Sequence, residues 1–225
     1  MTENGLGLPA GPWRGLALVF NTQPALYVHE SWFATLPHGA CARRLSAEPR
    51  ARFAVSRYLL EACELHGRYC EDFANHWARL ALLDGPALEL FFLYLGLALR
   101  AGELRQVIQG ERLRSLKGAV GEAAWRFVVQ RVPLLGVLPQ FEFEPAAGDP
   151  RERFIQIGLA YCVPTLTACG PALTRRLALK LPTAWSAGLT AAAPRPGPVP
   201  AAPGLVPLPR KFINELPPPW TPLFA

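Results

Sequence analysis

The fold is decided by an apolar run in the middle of the chain, LELFFLYLGLALR at residues 88–100. Wound as a helix, this run is apolar on nearly every side, which indicates a central helix buried by its neighbours. Asp84-Gly85-Pro86 precedes it and places a proline in the first helical turn, a favoured position. Gly102 is the expected cap at the other end. The apolar stretch 86–99 would span about 21 Å as a helix. That is short of the ~30 Å hydrocarbon core of a bilayer, so it predicts a core helix and not a membrane span.

Helical periodicity also extends toward the N-terminus. Ser46 is the expected N-cap of a helix over residues 46–66, in which an apolar stripe lies opposite a charged one. A further helix is predicted over residues 69–83. A short one is predicted over residues 31–36, with Ser31 as its N-cap. Nothing alternates with period two for long, which favours an all-α architecture, although residues 17–20 fit either a strand or a helical turn.

Toward the C-terminus, short helices are predicted at about residues 103–109, 111–117 and 122–131. A stronger start signal follows at Asp149-Pro150-Arg151-Glu152. It combines an N-cap aspartate, a proline at the first helical position and a glutamate placed to reach back. This helix is expected to run to about Cys169 and to kink or split at Pro164.

The last helix of the body begins at Gly170-Pro171, which repeats the stop and start signal. Leu173, Leu177 and Leu181 share one face of this helix, which is expected to be buried. The basic residues Arg175, Arg176 and Lys180 are expected elsewhere on its surface, as an ordinary solvated face.

Composition excludes wholesale disorder, because 51% of the 225 residues are hydrophobic and 18% are charged. The formal net charge of +6 keeps acidic partners open. The five cysteines are odd in number and irregularly spaced, so they predict a reducing, cytosolic compartment and not a disulfide framework. No signal peptide is expected, because early positive charge is lacking and the apolar run at 16–20 is too short.

Proline placement divides the chain. Eleven of the 24 prolines lie in residues 194–225, and the stretch AAAPRPGPVPAAPGLVPLP at 191–209 can form neither a helix interior nor a central strand. We therefore expect a helical domain at 1–190. A proline-rich linker with a short helical and aromatic end is expected at 191–225. The fold class predicted is all-α: an irregular, compact multi-helix domain with a proline-rich C-terminal segment, which either folds back or waits for a partner.

No catalytic constellation or cofactor motif is found in the sequence. A metal site is an alternative at Cys63, His66, Cys70 and His76, but their spacing matches no usual zinc pattern. A packing face lined by small thiols is the simpler interpretation. We therefore predict no enzyme activity, no cofactor and no metal.

Basic residues gather in three clusters: Arg43, Arg44, Arg50 and Arg52; Arg112, Arg114 and Lys117; and Arg175, Arg176 and Lys180. A basic helical nucleic-acid-binding protein is therefore an alternative function. It would need a continuous basic face, whereas each cluster has acidic residues nearby. Solvated helix faces are the simpler interpretation, and an acidic protein partner is the next.

A family resemblance rests on collinear blocks of sequence. The main blocks are LELFFLYLGLALRAGELRQVIQGERLRSL at 88–116 and RERFIQIGLAYCVPTLTACGPALTRRLALKLP at 151–182, with a weaker PALYVH at 24–29 and a similar ending at 211–224. In this order they resemble the YscK/PscK/SctK-type proteins of type III secretion systems. None of the blocks is a catalytic motif, so the specificity lies in their order.

The resemblance implies a cytosolic, non-enzymatic adaptor of the injectisome sorting platform that is required for protein secretion. Such a protein would bridge the cytoplasmic domain of the SctD-type inner-membrane ring protein to the SctQ-type pod protein. Through the pod it would hold the SctL-type stator and the SctN-type ATPase. It would lie at the cytosolic face of the inner membrane, with no membrane insertion and no nucleic acid.

Partner contacts are predicted from residue type, since aromatic residues and arginine are the usual interface anchors and basic patches steer encounter with acidic surfaces. The predicted contact residues are Arg112, Arg114, Lys117, Phe212, Ile213 and Trp220.

Overall fold

The computed structural model describes residues 13–106, 110–136, 138, 141–145, 148–190, 208–216 and 220–224. Within these residues the chain is helical and contains no strand, which confirms the all-α prediction. The α-helices are α1 (Arg14–Thr22), α2 (Gly39–Ser46), α3 (Arg52–Ala62), α4 (His76–Leu80), α5 (Gly85–Leu99), α6 (Ala101–Arg105), α7 (Gly110–Val120), α8 (Glu122–Gln130), α9 (Pro150–Ala168), α10 (Pro171–Leu179), α11 (Thr183–Thr190) and α12 (Leu208–Ile213). Short 3₁₀ helices lie at Pro24–Leu26, Glu30–Ala34, Val132–Leu135 and Thr221–Phe224.

Helix α5 is the centre of the fold, as its sequence predicts. The Asp84 carboxylate accepts a hydrogen bond from the Ala87 backbone N–H at 2.8 Å, and Pro86 lies in the first turn. Side chains on all sides of the helix are buried, because α8, α9 and α12 pack around it. Gly102 is not its cap: α5 ends at Leu99 with Arg100 as its C-cap, and Gly102 lies inside α6. The chain turns into α6 so soon that no separate glycine cap is needed.

Glycine allows α5 and α9 to touch backbone to backbone. A Cβ built on Gly96 would lie 1.9 Å from the Phe154 carbonyl oxygen, and one built on Gly158 would lie 2.0 Å from the Phe92 carbonyl oxygen. Neither position has room for a methyl group, since the obstacle in each case is rigid helix backbone. The backbones of the two long helices are therefore in direct contact in the main core. Helix α9 begins as predicted, with the Asp149 carboxylate accepting from the Arg151 N–H.

The N-terminal elements carry a smaller core of their own. Phe33, Ala42, Val55 and Leu59 pack together under α2 and α3. The predicted N-cap at Ser46 is wrong: Ser46 ends α2, and its hydroxyl donates backward to the Arg43 carbonyl at 2.7 Å. The serine is therefore used inside one helix and cannot start the next, and α3 begins only at Arg52.

Two other predicted helices are altered. In place of the predicted helix over residues 31–36, the chain forms a 3₁₀ helix at Glu30–Ala34, whose cap is His29 and not Ser31. Of residues 69–83, only His76–Leu80 are α-helical. Asn21 of α1 bonds to both the N–H and the C=O of Cys70, at 2.8 and 2.9 Å. Because a distant side chain satisfies the Cys70 backbone, the segment around it does not need helical hydrogen bonds and stays outside any helix.

The C-terminal end of the chain folds back onto the body. Phe212 of α12 is fully buried, with its ring centroid 6.1 Å from that of Phe91 and 5.7 Å from that of Phe127. Leu223 and Phe224 are also buried in the main core. Residues 191–207 lie outside the described part of the chain, so the boundary between 190 and 191 stays a prediction. Among the described helices, none is long and apolar enough to cross a membrane.

Candidate partner-binding surface

Helix α7 presents the basic cluster predicted to contact a partner. It packs on α8 and α9, and Arg114 is exposed on it. The Arg114 Nε donates to the Gly110 carbonyl at 3.2 Å, and no ion pair joins Arg114 to a described carboxylate. Lys117 lies 2.7 Å from the Glu122 carboxylate, which neutralises part of its charge. The side chain of Arg112 lies outside the described part. Of the two described side chains of this cluster, Arg114 is therefore the one that is not in an ion pair.

The C-terminal residues predicted as contacts are used within the chain. Phe212 and Ile213 are 0% and 2% exposed, and Trp220 is half-buried against the main core. All three belong to the C-terminal tail, whose helix α12 packs on α4 and α5, whereas α7 packs on α8 and α9. Their role in partner binding stays a prediction, and it would require the tail to leave the body, because their apolar surface is already covered.

The third basic cluster does not form a solvated face, which corrects the prediction. Arg176 is 0% exposed and Lys180 is 5% exposed. Only Arg175 of the three remains accessible, and its guanidinium lies 3.0 Å from the Glu64 carboxylate. The charge available for a nucleic-acid surface is therefore smaller than the sequence indicates.

Lys180 is held by backbone and aromatic groups with no carboxylate in hydrogen-bond contact. Its Nζ donates to the carbonyls of Ala81 at 2.7 Å and Leu83 at 2.6 Å. It also lies 5.2 Å from the Phe20 ring centroid and 4.9 Å from that of Tyr27. Burial lowers the pKa of Lys180 to about 7, and the nearby Asp84 charge partly opposes this shift. Lys180 thus joins α10, the turn before α5, and the N-terminal segment.

Arg176 makes a similar tether one turn earlier. Its Nη2 donates to the Asn21 carbonyl at 3.3 Å and to the Leu65 carbonyl at 3.2 Å, and its Nη1 donates to the Ala172 carbonyl at 3.2 Å. Burial lowers the pKa of Arg176. The buried contacts that fasten the N-terminal elements to α10 therefore include hydrogen bonds to backbone carbonyls, whereas the Arg175–Glu64 ion pair lies at the surface.

The burial of these two cations was not predicted, although their spacing from the leucines of α10 indicates it. Arg176 follows Leu173 by three residues, and Lys180 follows Leu177 by three. Positions three and four apart share a helix face, so both cations lie at the edge of the leucine stripe. A lysine or arginine on an apolar helix face can bury its methylene groups and extend its charged group to solvent. Alternatively, it can bury the charged group as well and bond it to other parts of the chain.

The metal alternative gains no support from the geometry. No group of three or more His, Cys, Asp or Glu side chains within the described ranges could hold a metal ion. Cys70 is buried in the loop that Asn21 holds, and burial raises the pKa of its thiol to about 11. Such a thiol is protonated at neutral pH, which favours the packing interpretation.

Over the described residues, these features define an all-helical protein with one main core. The family model described as YOP proteins translocation protein K (YscK) matches residues 17–206, and the chain therefore belongs to the YscK family. This confirms the resemblance found in the sequence blocks.

Among solved structures, the chain is similar to the cytoplasmic domain of the T3SS sorting platform protein PscK from P. aeruginosa. The two are 30% identical with a TM-score of 0.50, and the match covers 76% of this chain and 83% of that chain. No curated protein sequence matches the chain.

Proposed function

We propose that this protein is a cytosolic adaptor of the type III secretion sorting platform. It joins the cytoplasmic domain of the SctD-type inner-membrane ring protein to the SctQ-type pod protein, and it is required for protein secretion. Through the pod it acts indirectly on the SctL-type stator and the SctN-type ATPase. It performs no reaction of its own and lies at the cytosolic face of the inner membrane.

The observation that carries the proposal is the extent of the family match. It runs over residues 17–206, which include every helix from α2 to α11. The similar solved structure is that of a T3SS sorting platform protein. A likeness over the whole body supports a shared role more strongly than a likeness over one helix pair, since a common helical motif alone says little about function.

The construction of the body supports a bridging role. An adaptor needs two partner surfaces held in a fixed relation, which a well-packed core provides. The close contact of Gly96 with α9 and the internal tethers at Arg176 and Lys180 make the helices one packed unit. The exposed Arg114 on α7 suits encounter with an acidic surface, because such charges raise the association rate more than the affinity.

The decisive experiment is reconstitution of a three-component complex. The full chain is mixed with the purified SctD-type cytoplasmic domain, with the purified SctQ-type protein, and with both, and the masses are measured by size-exclusion chromatography with light scattering. We expect a complex with each partner and a larger one with both. In bacteria, deletion of the gene is expected to abolish secretion.

The control omits the chain from the mixture. If the two partners form the same complex without it, or if the chain binds either partner only in competition with the other, the bridging role is wrong. Secretion that persists unchanged after deletion would contradict the requirement for it.

A further inference from the structure

The connection between α2 and α3 presents an unusual surface, which we call the α2–α3 corner. It consists of the exposed apolar residues Leu45 and Phe53 with the arginines Arg44, Arg50 and Arg52. Phe53 is 75% exposed, and Leu45 is 44% exposed. Two successive turns hold the corner together, through hydrogen bonds from Glu48 N–H to Leu45 C=O and from Ala51 N–H to Glu48 C=O, each 3.0 Å long.

The three corner arginines are unneutralised among the described residues. Two neighbouring arginines are in ion pairs, Arg43 with Glu30 at 2.5 Å and Arg57 with Glu61 at 3.8 Å. No such pair joins Arg44, Arg50 or Arg52 to a described carboxylate, Glu48 included. The corner thus carries an excess of positive charge around an exposed aromatic ring.

The exposed side chains of the α2–α3 corner do not contribute to the packing of α2 and α3. The inner faces of α2 and α3 already pack through Ala42, Val55 and Leu59, and Phe53 points away from that small core. Helix α3 has no acidic residue in its first turn, where Arg52 stands. A cation at a helix N-terminus is unfavourable because of the helix dipole. The corner therefore combines an exposed ring and uncompensated charges that weaken the isolated protein, a pattern that favours an interface.

We propose that the α2–α3 corner is a second partner-binding surface, and that its occupant is an acidic protein surface in which carboxylates surround an apolar recess for Phe53. This inference rests on the bridging function proposed above and assigns one of its two contacts. Charge complementarity selects the occupant: arginines pair with carboxylates, and the ring supplies the apolar centre of the contact.

The corner is structurally separate from the basic cluster on α7. Helices α2 and α3 pack on each other and on the 3₁₀ helices near the N-terminus, whereas α7 packs on α8 and α9. An adaptor that binds one partner at the α2–α3 corner and the other at α7 can hold both partners without competition. Changes at the corner should therefore affect one partner and spare the other.

The test measures binding of the full chain to two purified probes by biolayer interferometry. The probes are the SctD-type cytoplasmic domain and the SctQ-type pod protein. The corner variants are Phe53→Ala and Arg52→Glu. The matched controls are Leu134→Ala, at a site that is also 75% exposed, and Arg126→Glu, at an exposed site on α8. Thermal unfolding of every variant verifies that the fold is retained.

We expect each corner variant to weaken binding to one of the two probes by about tenfold or more, the size of a hot-spot effect. Binding to the other probe and binding by the control variants should stay at the wild-type level. Added salt should weaken the contact that Arg52 supports.

The possible failures are distinguishable. If wild-type protein binds the probes and both corner variants bind them equally well, the corner is not an interface, while the bridging function stands. If wild-type protein binds neither probe, both proposals are wrong. A single-stranded DNA of about 20 nucleotides serves as a third probe. Tighter binding of this DNA than of either protein, lost with Arg52→Glu, would place a nucleic acid at the corner and overturn the inference.

Discussion

Gly96 of α5 and Gly158 of α9 lie directly against each other: a Cβ on Gly96 would lie 3.2 Å from the Gly158 backbone nitrogen. The same Cβ would lie 1.9 Å from the Phe154 carbonyl oxygen. The spacing of the two longest helices therefore depends on two positions that have no side chain. The main core, on which α7 packs through α8 and α9, is built around this contact.

Replacement of Gly96 by alanine should therefore be strongly destabilising. The added methyl group meets backbone, which cannot rotate away, so the helices must separate and lose packing. We expect the free energy of unfolding in urea to fall by about 3 kcal/mol. Gly118→Ala in α7 is the control, because nothing lies within 4 Å of its Cβ position. It should stabilise the helix by about 0.5–1 kcal/mol. Equal effects of the two substitutions would contradict the close contact.

Arg176 and its neighbour Arg175 should differ sharply in their effect on stability. Arg176→Ala removes the donors to the buried Asn21 and Leu65 carbonyls and leaves a cavity. We expect a loss of about 3 kcal/mol in the free energy of unfolding. Arg175→Ala breaks only the accessible pair with Glu64. It should change stability by less than about 1 kcal/mol. Similar losses in urea denaturation would show that the two arginines are equally buried.

Lys180 should make stability depend on pH above neutrality. Its pKa is about 7 in the folded protein and 10.5 ordinarily, so between these values the unfolded chain binds the extra proton. Stability contributed by this residue therefore rises with pH in that window. Between pH 7 and 9, the free energy of unfolding of the wild type should rise relative to that of Lys180→Met by on the order of 2 kcal/mol.

The comparison with Lys180→Met is needed because other groups act in the opposite direction. Burial raises the pKa values of Tyr27 and Cys70, so their contribution is lost as the pH rises through the alkaline range. Subtracting the free energy of unfolding of Lys180→Met from that of the wild type removes the contributions of Tyr27 and Cys70, because both proteins contain them. Chemical denaturation curves at several pH values give the difference directly, and parallel pH profiles for the two proteins would show that Lys180 is charged in the folded state across the window.

Arg114 should control the rate at which α7 meets an acidic partner. Arg114→Glu reverses an exposed charge without an ion pair among the described residues, whereas Lys117→Gln removes a charge that Glu122 already neutralises in part. Stopped-flow association with the SctD-type and SctQ-type proteins at low salt should show about a tenfold slower rate for Arg114→Glu with one of them. Lys117→Gln should show a smaller effect. A larger effect for Lys117→Gln would mean that the ion pair opens on binding.

Local sequence was sufficient to predict the elements that begin with their own signals. The start of α5 at Asp84 and Pro86, and that of α9 at Asp149, were predicted because an N-cap carboxylate and a nearby proline act within one turn. The family was also recognised from sequence blocks alone. Prediction failed at Ser46 and over residues 69–83, where a hydroxyl and a backbone segment have alternative partners.

The candidate surface was predicted less completely than the fold. Residue type indicated Arg114, but it also indicated Phe212, which the folded tail buries. The arginines of the α2–α3 corner belong to the first basic cluster found in the sequence. The exposure of Phe53, in contrast, could not be predicted from the sequence. An aromatic residue at the start of a helix is buried or exposed according to where that helix packs.

The sequence by itself determined the helical class, the central position of α5 and the family, because apolar pattern, caps and block order are properties of neighbouring residues. Tertiary structure alone decided which charges are available. Lys180 reaches carbonyls 97 and 99 residues away, and Arg176 reaches one 155 residues away. Such partners meet only when the chain is folded, so the division between buried tethers and exposed contacts is a property of packing.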